Sequence, residues 1–114
     1  MKYCIVSELK KDMVDKYIEY HKGIQKSEHK DLLNVIKKSG VDEEIIFIYN
    51  NFAIVYFEAE DLNKSYDFQR KFEVTKKWDN LMKDFFDSKY EFADADKLPI
   101  LEKVFDLNEQ MKEI

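Results

Sequence analysis

Two β-rich runs, at 44–49 and 52–58, are separated by Asn50 and Asn51 alone. Asparagine tolerates the positive φ of a two-residue hairpin turn, so the pair predicts an antiparallel hairpin in the middle of the chain. That hairpin commits the fold to a sheet, and the remaining elements must be placed around it.

Ahead of the hairpin, 3–9 is rich in β-formers, has Ile5 and Val6 at its centre, and reads as a first strand. The stretch 12–24 follows as a helix with Asp12 at the N-cap, Asp15 at the positive end of the helix dipole, and Gly23 as a bend or break. Segment 25–30 takes no assignment. From Asp31 a helical face resumes at Leu32, Val35 and Ile36, and Ser39-Gly40 stops it with glycine at the left-handed position. After the hairpin, Asp61 caps a further helix whose later part carries an apolar face of Val74, Trp78, Leu81, Met82, Phe85 and Phe86. The acidic stretch 87–97 reads as an exposed loop. Pro99 then precedes a last strand at 101–107, and 108–114 is expected to be a charged, frayed tail.

The order strand, helix, strand, strand, helix, strand is the split βαβ arrangement, an α+β, ferredoxin-like βαββαβ fold, and 114 residues suit one domain over 1–114. Helices on one face leave the other face of the sheet needing a partner, which predicts a homodimer.

Composition excludes several classes of function. A net charge of −5, with lysines interleaved among acids, argues against nucleic acid as a partner. The amino terminus has a single lysine and an apolar run ending at Ser7 and Glu8, so neither a signal peptide nor a membrane span is read there and a cytoplasmic setting is expected. One cysteine, Cys4, forms no internal disulfide and no thiolate metal cluster, and its strand setting favours inert burial. Two glycines and one proline leave no glycine-rich phosphate loop.

Chemistry concentrates on the first helix. At about 100° per residue, Met13, Val14, Tyr17, Ile18, Tyr20, His21 and Ile24 share one arc. His21, near the middle of that arc, is aimed at the interior with Tyr17 one turn before it and Tyr20 beside it. A hydrogen-bonded core histidine and an acid/base group both fit this position. His29, in a charged and irregular stretch with no helical spacing to His21, reads as a solvated side chain and not as a metal ligand.

These residues resemble the sugar mutarotases of the L-rhamnose mutarotase type. The shared features are Tyr17-x-x-x-His21 on the first helix, Lys38-Ser39-Gly40 before the second strand, and Phe52-Ala53-Ile54-Val55 in the third. They continue with Val74-x-x-x-Trp78-x-x-x-Met82 in the late helix and Leu101-Glu102-x-Val104-Phe105-x-Leu107 at the end. The resemblance implies a dimeric α/β barrel whose interior binds a monosaccharide and exchanges its α and β anomers, without cofactor or metal. Carried over by position, His21 looks like the family's acid/base histidine, and Tyr17 and Trp78 like its sugar-binding tyrosine and tryptophan. Three departures stand out. The family's Trp-Pro-Glu stretch reads His29-Lys30-Asp31 here, after about four extra residues; its paired tryptophans read Trp78-Asp79; and its tyrosine at the start of the second strand falls on Glu44.

Anomer exchange needs one group to protonate the ring oxygen and another to take the proton of the anomeric hydroxyl. The ordinary pKa of histidine, about 6.5, leaves both of its forms available near neutrality. Glu44 and Asp79 are candidates for the second group and for contact with substrate, and each is equally read as surface charge. Trp78 either covers the C–H face of a sugar or is core. A non-catalytic small-molecule binding or interaction module on the same barrel is the reading from another class, and a cofactor-independent monooxygenase is a weaker enzymatic rival.

Overall fold

A computed structural model of the chain describes residues 1–87 and 99–114. Three strands, β1 (Lys2–Glu8), β2 (Val41–Tyr49) and β3 (Phe52–Ala59), form an antiparallel sheet in the order β1-β3-β2. Helices α1 (Val14–Lys22) and α2 (Asp31–Lys38) lie between the first two strands, and α3 (Leu62–Gln69), α4 (Glu73–Met82) and α5 (Leu107–Lys112) follow the third.

The hairpin forms where Asn50 and Asn51 predict it, with Asn50 at φ 55°. Its turn is also held to the end of β1: Leu9 N–H donates to the Asn51 carbonyl at 2.7 Å, and the Asn51 side-chain amide donates to the Leu9 carbonyl at 2.9 Å. Register then fixes the faces. Ile5 lies opposite Val55, Ser7 opposite Ala53, Ile46 opposite Val55 and Glu44 opposite Phe57, so these side chains share the inner face. Cys4, Val6, Ile45, Phe47, Ile54 and Tyr56 take the outer one.

Helices cover the inner face. One buried cluster unites Ile5, Val41, Phe57, Ala59 and Leu62; another unites Leu9, Tyr17, Ala53, Met82, Phe85 and Phe86. Gly40 ends α2 at φ 98°, the left-handed conformation read from Ser39-Gly40, and Asp61 caps α3 by accepting from Lys64 N–H.

Other expectations need correction. Helix α1 starts at Val14 after a 3₁₀ turn at Lys11–Met13, and Asp12 lies inside that turn without capping the helix. The helix after Asp61 is two helices. Between them Lys71 N–H bonds to Phe68 O and Phe72 N–H to Gln69 O, three-residue spacings that tighten the chain until Phe72 turns extended at ψ 138°. Most of the expected loop at 87–97 lies outside the described residues.

The largest difference is at the fourth strand. Instead of a ladder over 101–107, the free edge of β1 carries isolated antiparallel bridges, Leu9 to Phe86 and Ile5 to Ile100, with Leu101 N–H donating to Cys4 O at 2.8 Å. Beyond them no ladder continues: Lys2 Nζ of β1 donates to Asp106 at 3.3 Å, and Asp106 starts a helix by accepting from Glu109 N–H. The tail expected to fray is therefore α5. Leu101, Val104 and Phe105 are exposed.

Replacing Asn51 by alanine removes a bond that joins the hairpin turn to β1. We expect a loss of about 1 kcal/mol and a melting temperature lower by roughly 4–8 °C, read by thermal denaturation. Asn50→Gly, which keeps the positive φ, should leave the melting temperature unchanged or higher.

Candidate active site

The middle of the inner face is floored by small side chains. Ser7 and Ala53, paired across β1 and β3, cannot fill the space beneath the helices, and the two core clusters close around a chamber of about 110 Å³. Its mouth is a wider hollow of about 550 Å³, and His21, Leu32, Ile36, Glu44, Ile46 and Trp78 line both spaces. Together they form a cleft of the size expected for a small-molecule site, built within one chain between sheet and helices.

Helix α1 supplies Tyr17 and His21, one turn apart. Tyr17 is 4% exposed, and the two rings lie 4.1 Å apart between centroids. His21 Nδ1 is 2.7 Å from the backbone oxygen of Tyr17. A carbonyl oxygen accepts and never donates, so Nδ1 carries the proton and the lone pair of the neutral ring is on Nε2. Burial holds the His21 pKa below its ordinary value, and the hydrogen bond to Tyr17 opposes this in part.

Strand β2 supplies Glu44, and α4 supplies Trp78 and Asp79. Water still reaches Glu44 through the mouth, but protein crowds it on the concave face, and that desolvation pushes its carboxyl up to about 7. Burial raises Asp79 to about 6. The Tyr17 phenol is driven well above its ordinary range by burial and then by the charge of Glu44. Tyr66 is driven up by burial and by the charges of Glu44 and Asp79. Both phenols stay neutral donors at any physiological pH.

All five residues singled out from the sequence, Tyr17, His21, Glu44, Trp78 and Asp79, line the chamber. Tyr20 does not: it is 40% exposed and packs edge-on against Phe85 at 5.7 Å, at the margin of the buried arc of α1. His29 is not solvated as expected. It is 6% exposed, because the irregular stretch before α2 folds back, with Ser27 Oγ accepting from His29 N–H, and sets the ring against Trp78 at 5.3 Å. Trp78 is thereby held edge-on between His29 and His21, the latter at 5.0 Å. Among the described residues no group of three or more His, Cys, Asp or Glu is placed to hold a metal ion.

Tyr66, Gln69 and Thr75 also line the chamber and were not singled out from the sequence. A signal for the first two exists: Leu62, Ser65, Tyr66 and Gln69 follow the Asp61 cap at i, i+3, i+4 and i+7, the spacing of an inward face.

The family model described as L-rhamnose mutarotase matches residues 2–107. No curated protein matches the sequence. Among solved structures, an L-rhamnose mutarotase from Formosa agariphila superposes with a TM-score of 0.68 at 22% identity, covering 93% of this chain and 97% of that one. Tetracenomycin F2 cyclase from Streptomyces glaucescens, a type-II polyketide cyclase, superposes at 0.61 with 12% identity, covering 93% and 95%. These structural likenesses show a shared fold. The match of the family model over nearly the whole length shows more: the chain belongs to the L-rhamnose mutarotase family of isomerases, which interconvert sugar anomers.

Proposed function

We propose that this chain exchanges the anomers of a free monosaccharide of the L-rhamnose or L-fucose type, with His21 as base and a chamber carboxyl as acid. The carrying observation is that one chamber brings together His21, Glu44 and Asp79, with the imidazole made less basic and the carboxyls made less acidic. Groups displaced toward each other in this way make a neutral base and a neutral acid coexist near pH 6–7. A binding module without catalysis has no need of that pairing.

In the forward step His21 Nε2 takes the proton of the anomeric hydroxyl, the bond from the anomeric carbon to the ring oxygen breaks, and Glu44 or Asp79 protonates that oxygen. The product is the open-chain aldehyde, with His21 cationic and the carboxylate charged. Rotation about the first carbon–carbon bond presents the other aldehyde face. Ring closure returns both protons, so the site ends as it began. Tyr17 and Tyr66, neutral throughout, donate to sugar oxygens, and Trp78 covers a C–H face.

A second copy completes the molecule in this reading. The outer sheet face presents Ile45, Phe47 and Tyr49, with Phe47 59% exposed, and the extended stretch after Ile100 adds Val104 and Phe105. Light scattering on the purified protein should give about twice 13.8 kDa. A monomer at tens of micromolar would remove this part of the proposal.

His21→Ala should slow exchange by roughly two to four orders of magnitude, measured by NMR across a panel of free sugars, while the fold persists. Near-normal exchange with a lowered melting temperature would make His21 a core residue.

The pH profile carries the sign of each shift. His21 must be neutral, so the rate falls on the acid side as pH drops through its lowered pKa. The carboxyl must be protonated, so the rate falls on the alkaline side above about 7 if Glu44 is the acid, or above about 6 if Asp79 is. Glu44→Gln and Asp79→Asn, each profiled over pH 4–9, identify the acid: the alkaline limb disappears in one variant and remains in the other.

A further inference from the structure

Thr75 presents a buried polar atom that the catalytic reading leaves unused. The residue is 5% exposed, lies in the first turn of α4, lines the deep chamber, and its Oγ1 has no hydrogen-bond partner among the described residues. Buried hydroxyls are nearly always paired, and a threonine in a helix usually gives its hydroxyl to a carbonyl one turn back. Thr75 lines the chamber with its side chain, and rotation about χ1 turns the unpaired hydroxyl, with both its donor and its acceptor capacity, toward whatever enters.

Its position relative to the reacting groups is set by the helix. Thr75 and Asp79 are four residues apart on α4, so both project from the same face about one 5.4 Å turn apart. That separation is comparable with the width of a pyranose ring. A sugar whose anomeric end meets His21 and the carboxyls therefore sets a hydroxyl from the far side of its ring beside Thr75. The surroundings restrict what fits there: Ile5, Val55, Phe57 and Met82 supply apolar walls, and Gln69 already donates through Nε2 to Ser39 Oγ at 3.0 Å.

We propose that Thr75 Oγ1 is a specificity-determining partner for one ring hydroxyl remote from the anomeric carbon, so that the site selects monosaccharides by the presence and configuration of that hydroxyl. This rests on the mutarotase reading for the orientation of the sugar. A site built to bond a hydroxyl rejects analogues lacking it, because its own polar group is then stranded in an apolar wall.

The test is Thr75→Val, which keeps the shape of the side chain and removes the hydroxyl. Binding and exchange are measured separately, by Trp78 fluorescence titration and by NMR, on wild type and variant. The probes are L-rhamnose, L-fucose and the deoxy analogues of the better binder at each ring position. We expect the variant to bind the parent sugar 10- to 100-fold more weakly and to bind one deoxy analogue as wild type does. Its ligand-free melting temperature should be equal to or above that of wild type. Equal weakening for the parent sugar and all analogues, no weakening, or a melting temperature several degrees lower with unchanged selectivity would each overturn the proposal, as would binding of no sugar by wild type. Sugar binding without exchange by wild type would instead defeat the mutarotase reading, while the binding comparison would still decide the role of Thr75.

Discussion

Everything in this molecule hangs on β3 being the central strand. It pairs along its length with β1 on one side and β2 on the other, and a one-residue slip in either ladder would exchange inner and outer faces. Glu44 would then leave the chamber, and Ile45 or Glu43 would enter it. The Asn51 bonds to Leu9 matter for this reason, because they tie the β2–β3 turn to β1 and fix both ladders at one end. The geometry of the chamber is a consequence of strand register.

Desolvation has a single direction in the chamber and two chemical results. It disfavours whichever form is charged, so it lowers the imidazole and raises the carboxyls and phenols. No ion pair is needed to displace these groups. The backbone oxygen of Tyr17 adds what burial cannot supply, a defined tautomer. Because that acceptor comes from the same helix one turn earlier, rigid α-helical geometry orients the ring, and no second side chain has to be held in place.

Much of this was legible in local sequence signals. Asn50-Asn51, Ser39-Gly40 and the Asp61 cap each depend on a few adjacent residues, and each stands as read. The arc of 12–24 placed Tyr17 and His21 correctly because helical period alone decides which side chains share a face. The same arc misplaced Tyr20, which sits at its margin, where small rotations of the helix decide between chamber and solvent. His29 was read as solvated because its neighbours are charged, yet burial was decided by Trp78, 49 positions away in the chain. The fourth strand failed for a similar reason: β-formers at 101–105 satisfy propensity, but a ladder also needs a free strand edge in register, and here Asp106 draws the chain into a helix.

The site also explains why the core is split in two. A continuous apolar filling between sheet and helices would bury more surface and stabilise the fold further, at about 25 cal/mol for each Å² removed from water. Ser7 and Ala53 forgo that gain at the middle of the sheet, and Ser7, Gln69 and Thr75 place buried polar atoms where leucine or valine would pack. Such a loss is tolerated when the volume has an occupant. Under the proposed function a sugar is such an occupant, with hydroxyls for the polar atoms and C–H faces for Trp78 and the apolar wall. In that reading substrate restores part of the cohesion that the chamber gives up, and occupancy of the site is coupled to stability of the whole chain.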